Sequence, residues 1–197
     1  MDIFEKCNQR YIQDEVRELG IYPYFHALES KQDTEVIMEG KRRIMLGSNN
    51  YLGLTTNPAV IQAGVDAYKA LGSGCSGSRF LNGTLKLHLE LEEELAKFLR
   101  KDAIVTFSTG FQSNLGIISA IVGMHDYVIM DRENHASLYD GCRLSYGKML
   151  RYRHNDMSDL EKKLQKVPDS CGCLIVTDGV FSMGGDIANL PEICTLA

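Results

Sequence analysis

The sequence predicts an α/β protein with a mostly parallel sheet covered by helices on both faces, and two observations carry that expectation. From Pro58 onward, short apolar runs of strand length alternate with amphipathic stretches of helical period, the pattern left by buried parallel strands and the helices that cover them. The 197 residues are 44% hydrophobic and 24% charged, with 18 glycines and 4 prolines. That is ordinary globular composition, not a disordered, collagen-like or disulfide-stapled one.

Taken in order, Ile3, Phe4, Cys7, Tyr11, Val16 and Leu19 are spaced for one face of a helix that Gly20 ends. The aromatic segment Tyr22-Pro23-Tyr24-Phe25 must pack on something. Strands are predicted over 35–38 and 43–47, joined by a hairpin-like turn at Glu39-Gly40-Lys41. A polar loop, Ser48 to Gly53, follows. Pro58 suits a first helical turn, and that helix runs to about Leu71. Residues 72–79 read as a flexible loop of small residues. An amphipathic helix spans 86–99, with Leu87, Leu91, Leu95, Phe98 and Leu99 expected inward and Glu92, Glu93 and Glu94 outward. The remaining expectations are strand 103–107, helix 112–122, strand 127–130, helix 136–146, strand 149–152, helix 158–166 and strand 173–177. A last helix begins at Pro191 and stops after two turns with no cap, so the chain is expected to be a fragment of a longer polypeptide.

Charge and cysteine usage narrow the function classes. The net charge is −5 and no block of Lys and Arg occurs, which argues against nucleic acid or an anionic membrane as the main partner. No apolar run reaches the roughly 20 residues that span a bilayer, and MDIFEKCNQR does not read as a signal peptide. Cysteines 7, 75, 142, 171, 173 and 194 are scattered and read as free thiols in a reducing cytoplasm. No HExxH, GxSxG or paired-cysteine pattern is present, so zinc-protease, serine-hydrolase and zinc-finger readings have no support.

Ligands of open α/β sheets sit where strands end and helices begin. After the strand at 103–107 comes Ser108-Thr109-Gly110-Phe111-Gln112-Ser113-Asn114. Hydroxyls, a glycine and a fresh helix start coincide there, as a phosphate site requires, although a plain Ser/Thr cap reads the same way. His135, in Asp131-Arg132-Glu133-Asn134-His135-Ala136-Ser137, could stack on a flat ligand, act as an acid or base, or simply cap its helix. Asp178-Gly179-Val180-Phe181-Ser182-Met183-Gly184-Gly185-Asp186 places an acid, a hydroxyl and three glycines at the same edge. The three clusters together describe a pocket for a phosphorylated, planar cofactor. His88 is expected at the surface, and His26 and His154 have no partner readable from the sequence.

The same clusters resemble a known family. Asn50-Tyr51-Leu52-Gly53-Leu54, Gly77-Ser78-Arg79-Phe80-Leu81-Asn82-Gly83-Thr84, Ser108 to Asn114, His135-Ala136-Ser137 and Asp178 to Met183 stand in this order in the α-oxoamine synthases. The resemblance implies pyridoxal 5'-phosphate and the aspartate-aminotransferase fold (fold type I). It implies decarboxylative condensation of an amino acid with an acyl-CoA, by a homodimer in the cytoplasm. In that frame residues 1–55 are an N-terminal arm and small-domain hairpin, and 56–197 are the first part of the cofactor-binding large domain.

Gly72-Ser73-Gly74, Gly77 to Thr84, Ser113 to Ser119 and Tyr139-Asp140-Gly141-Cys142 are similar to bacterial serine palmitoyltransferases, which join serine to palmitoyl-CoA. Thr177 to Met183 also resembles the aminoketobutyrate ligases, and 8-amino-7-oxononanoate synthase is a further alternative. A non-catalytic partner subunit is the alternative of another class. By this resemblance Gly110 and Phe111 offer backbone amides to the cofactor phosphate, and His135 stacks on its ring and orients the amino acid. Ser182 bonds the ring hydroxyl with Asp178 beside it, Asn50 meets the amino-acid carboxylate, and Arg79 lies near a partner's site. The family's lysine anchor, and the aspartate that pairs with the ring nitrogen, match no segment here. The 197 residues alone are therefore expected to be catalytically incompetent.

Overall fold

In the computed structural model, which describes residues 2–197, the chain divides into a unit ending at Gly83 and a unit beginning at Thr84. The first unit opens with a 3-10 turn, Glu5–Asn8, and helix α1, Ile12–Glu18. The single helix expected across residues 3–19 is broken at Gln9, whose backbone is extended (ψ 147°). The second helix starts afresh because the Asp14 carboxylate accepts the Tyr11 N–H at 2.9 Å, a local cap that outweighs a continuous apolar stripe. Tyr22 meets Tyr24 edge to face at 5.5 Å and lies under the Arg17 guanidinium. Within this unit the expected packing of the aromatic segment is met at Tyr22 and not at Phe25, which is 94% exposed.

Strands β1, Glu35–Met38, and β2, Lys41–Ile44, pair antiparallel with Met38 opposite Lys41. The connection is therefore the two residues Glu39 and Gly40, with φ of 51° and 69°. Both positive angles are what a type I′ hairpin turn demands, and this tighter turn starts β2 at 41 instead of the expected 43. Helix α2, Pro58–Leu71, has the predicted limits. Asn57 accepts N–H bonds from Ala59 and Val60 in front of Pro58, and Gly72 leaves the helix at φ 83°. The loop expected to be flexible closes tightly at its far end. Gly83 N–H donates to Ser78 at 2.8 Å, and a Cβ on Gly77 would lie 1.6 Å from the Asn82 side-chain oxygen.

The second unit holds α3 (Lys86–Leu99), α4 (Gly110–Ile121), β3 (Tyr127–Asp131), α5 (Ala136–Leu144), β4 (Lys148–Tyr152), α6 (Met157–Leu164), β5 (Cys173–Val176) and α7 (Leu190–Leu196). Its strands form a parallel sheet in the order β4-β3-β5. Alternation along β3 feeds two cores. Val128 and Met130 join Ile118, Val122, Leu138, Cys142 and Val176 on the face covered by α4 and α5. Ile129 joins Tyr152, Met157, Leu160, Phe181, Ala188 and Ile193 on the face covered by α6 and α7. Helices on both faces of a parallel sheet are the architecture the alternating pattern predicted.

Two expectations are corrected. Residues 103–107 pair with no strand among the described residues, and Val105 is 75% exposed. Strand character in an apolar run is realised only when a neighbour completes the ladder. Helix α3 is rotated from its expected pose. Leu87, Leu91, Phe98 and Leu99 are exposed, whereas His88, Glu92 and Leu95 are half-buried. Glu92 faces inward because its carboxylate accepts both the Thr106 N–H (3.0 Å) and the Thr106 hydroxyl (2.8 Å). His88 accepts the Leu85 N–H at 2.9 Å.

Candidate functional site

The carboxyl ends of β3, β4 and β5 lie side by side, so the residues that follow them meet at one edge of the sheet. Beside that edge α4 begins. Thr109 is its N-cap, with Oγ1 accepting the Gln112 N–H at 3.1 Å and the carbonyl accepting the Ser113 N–H at 3.0 Å. The preceding amides, of Gly110 and Phe111, are the helix donors with no intrahelical acceptor. A Cβ on Gly110 would meet nothing within 4 Å. Two N–H groups at the positive end of a 12-residue helix, with open space beside them, suit a phosphate oxygen.

His135 caps α5 from the neighbouring turn. Its backbone N–H donates to the Asp178 carboxylate at 2.7 Å. The Asn134 side chain completes the clasp, donating to the Val176 carbonyl at 2.9 Å and accepting the Asp178 N–H at 3.0 Å. Asp178 and His135, forty-three residues apart, are thus locked together by the pairing of β3 with β5. His135 is exposed, and its Nδ1 lies 2.7 Å from the Ser137 hydroxyl. Ser182 stands exposed in a turn within a loop closed by Phe181 N–H to Asp186 O at 2.9 Å and Ala188 N–H to Gly179 O at 3.1 Å.

The fourth junction, after β4, carries a cluster that sequence reasoning missed. The Asp131 carboxylate is fully buried. It accepts N–H bonds from Glu133 and Asn155 at 2.8 and 2.9 Å and faces His154 Nδ1 at 3.0 Å. His154 Nε2 reaches Asp186 at 2.5 Å, and the ring stands edge-on to Phe181. Hydrogen bonding to Asp131 first, with Asp186 adding, raises the His154 pKa above its ordinary value. This pair ties the Ser182 loop to the ends of β3 and β4. The signal was available: His154 follows a predicted strand just as His135 does. Next to it the Tyr152 hydroxyl is buried with no hydrogen-bond partner, and burial pushes its pKa up to about 12.

Asn50 and Arg79 belong to the first unit. Asn50 lines a cavity of about 480 Å³ with Gln32, Ser48, Asn49, Tyr51, Leu52, Leu54 and Thr55, and its side-chain oxygen accepts the Thr55 N–H at 3.2 Å. Arg79 is exposed in the turn before Gly83. His26, unassigned from sequence, lies 2.8 Å from Glu39 and 3.0 Å from the Tyr22 carbonyl. All six thiols are free. Among the described residues no helix is long and apolar enough to cross a membrane, and no cluster of metal-ligating side chains occurs.

The sequence pattern of the family described as aminotransferase class I and II matches residues 41–197. The serine palmitoyltransferase of Sphingobacterium spiritivorum is 53% identical over 98% of this chain and 48% of its own length. The 8-amino-7-oxononanoate synthase of Thermoanaerobacter pseudethanolicus is 45% identical over 93% of this chain and 47% of its own. Among solved structures, a variant serine palmitoyltransferase from S. paucimobilis with a bound PLP–myriocin aldimine superposes with a TM-score of 0.94. It shares 40% identity over all of this chain and 50% of that one. The chain spans about half the length of the curated relatives it matches.

Proposed function

The chain belongs to the aminotransferase class I and II family, and from that premise we propose that the protein carrying it condenses serine with palmitoyl-CoA, using pyridoxal 5'-phosphate and releasing CO2 and CoA. The observation that supports this reading most is the start of α4, where the Gly110 and Phe111 amides have no intrahelical acceptor and a Cβ on Gly110 would meet nothing within 4 Å, on the same unit as an exposed, backbone-anchored His135. When bound, the cofactor supplies an electron sink for the α-carbon of the amino acid.

The chain's own residues bind and orient. Gly110 and Phe111 N–H groups hold the phosphate, and the α4 dipole adds to the attraction. His135 would stack on the cofactor ring, its backbone fixed by the Asp178 carboxylate, and Asp178 would stand beside it in the site. Ser182 donates its hydroxyl proton to the ring hydroxyl oxygen, from a loop held by Asp186 and His154. Asn50 would meet the amino-acid carboxylate, and Arg79 would be a further substrate-binding residue near a partner's site. A homodimer acting in the cytoplasm completes the proposal, and an acyl acceptor specificity like that of 8-amino-7-oxononanoate synthase is the alternative.

Gly110→Pro tests the phosphate grip. Proline is favoured at the first helical position, Thr109 already has the extended backbone a proline requires (φ −145°, ψ 155°), and one N–H disappears. A lost hydrogen bond to a charged group is worth about 1.5–3 kcal/mol. Titration with pyridoxal 5'-phosphate should therefore show binding weakened roughly tenfold to a hundredfold with helix content kept. Unchanged affinity would remove Gly110 from the site. Substrate choice is read by incubating the full protein with serine, glycine or alanine and a series of acyl-CoAs. Product from glycine and acetyl-CoA alone would refute the palmitoyl assignment.

A further inference from the structure

Resting on the reading of His135 just given, we propose that Ser137 and Asn114 are positioning residues that hold the His135 imidazole in the Nε2–H tautomer. Its single N–H is thereby left on Nε2, the ring nitrogen not bonded to Ser137.

The argument follows the protons from the buried end. Asn114, on α4, donates through Nδ2 to the Ser137 hydroxyl oxygen at 2.8 Å. Ser137 is 1% exposed, so its own O–H needs an acceptor inside the protein. The acceptor in reach is His135 Nδ1, at 2.7 Å. The backbone N–H of Ser137 also points at Nδ1, at 3.2 Å. Two donors converge on one ring nitrogen, which must then carry its lone pair, and the proton of the neutral ring resides on Nε2. Were the Asn114 amide turned over and Nδ1 protonated, the Ser137 backbone N–H would face a second hydrogen. The arrangement exists because α4 and α5 approach closely at Gly141, where a Cβ would lie 2.9 Å from the Asn114 carbonyl oxygen. That contact sets Asn114 beside the first turn of α5. The residue is exposed, so an acceptor arriving at Nε2 would meet an N–H, whereas the opposite tautomer would offer it only a lone pair.

Long-range 1H–15N correlation of the 15N-histidine-labelled chain tests this without cofactor or turnover. Above the pH at which the ring loses its second proton, His135 is expected with a pyridine-type Nδ1 and a pyrrole-type Nε2. Ser137→Ala should move the Nδ1 resonance toward the pyrrole frequency, as the ring begins to sample both tautomers. Ser137→Cys, which keeps most of the volume but substitutes a weak donor, should move it the same way and stands in if the alanine variant does not fold. A pyrrole-type Nδ1 in the unaltered chain, or an Nδ1 frequency unmoved by the substitution in a folded variant, overturns the assignment. Neither result bears on whether serine and palmitoyl-CoA are the substrates, and failure of that assay leaves the tautomer measurement intact.

Discussion

The stretch from β3 to α7 and the stretch ending at Gly83 are both well supplied with secondary structure, yet they bury very differently. Among the described residues through Gly83, Val36 is the one buried hydrophobic side chain, while Ile12, Ile44, Leu46 and Tyr51 all remain exposed. In the second unit, Val128, Ile129 and Met130 are wholly inaccessible. The β1–β2 hairpin and α2 therefore form from turn and cap chemistry, whereas β3, β4 and β5 exist because apolar faces close over them. Stability concentrated in the second unit is the consequence. It also explains why the candidate site, at the carboxyl edge of that sheet, is held by buried hydrogen bonds.

The contrast breaks most decisively at Leu160. This side chain is 0% exposed in the core with Ile129, Tyr152 and Phe181, so Leu160→Ala should cost about 2–5 kcal/mol in urea unfolding. Phe98→Ala, at an 81% exposed position, should stay within about 0.5 kcal/mol. Equal losses would mean that α3 is as much core as α6.

A pH series sharpens the comparison. The His154 pKa is raised by Asp131 and then Asp186, so the folded state holds that proton more tightly than the unfolded chain. The stabilisation is complete below the ordinary value of 6.5 and is lost as pH rises through the higher folded value. The midpoint of urea unfolding should accordingly fall as pH climbs above about 6.5, and Asp186→Asn should flatten that fall. His26 is raised in the same direction, chiefly by hydrogen bonding to Glu39. That pair is exposed, so Glu39→Gln should change the slope far less.

The smallest effect has the opposite sign. Tyr152 is 1% exposed and its hydroxyl has no hydrogen-bond partner. Tyr152→Phe removes an orphaned polar group while keeping the ring. It should leave stability unchanged or raise it by up to about 1 kcal/mol. A clear loss in the same unfolding assay would show that the hydroxyl is satisfied after all, by Asp131 or Thr177.

The limits of α2 and α3 and the position of the hairpin were legible in the chain, and the start of α4 was legible to within two residues, the helix expected from 112 beginning at Gly110 behind the Thr109 cap. Each depends on residues within a few positions of one another: Asn57 before Pro58, Glu39 beside Gly40, Thr109 before Gln112. Such bonds are local and their residue preferences strong. His135, Asp178 and Ser182 could be singled out because strand ends point the same way in a parallel sheet, and Gly110 because hydroxyls and a glycine mark a helix start. What tertiary structure alone decided was the partner of each group. The face of α3 turned on Glu92 finding Thr106, the run at 103–107 gained no ladder, and His154 found Asp131 and Asp186 across 23 and 32 residues. Burial and long-range pairing depend on which distant surfaces compete for one face or one proton, and periodicity, which records only that a face is apolar, carries no information about what will cover it.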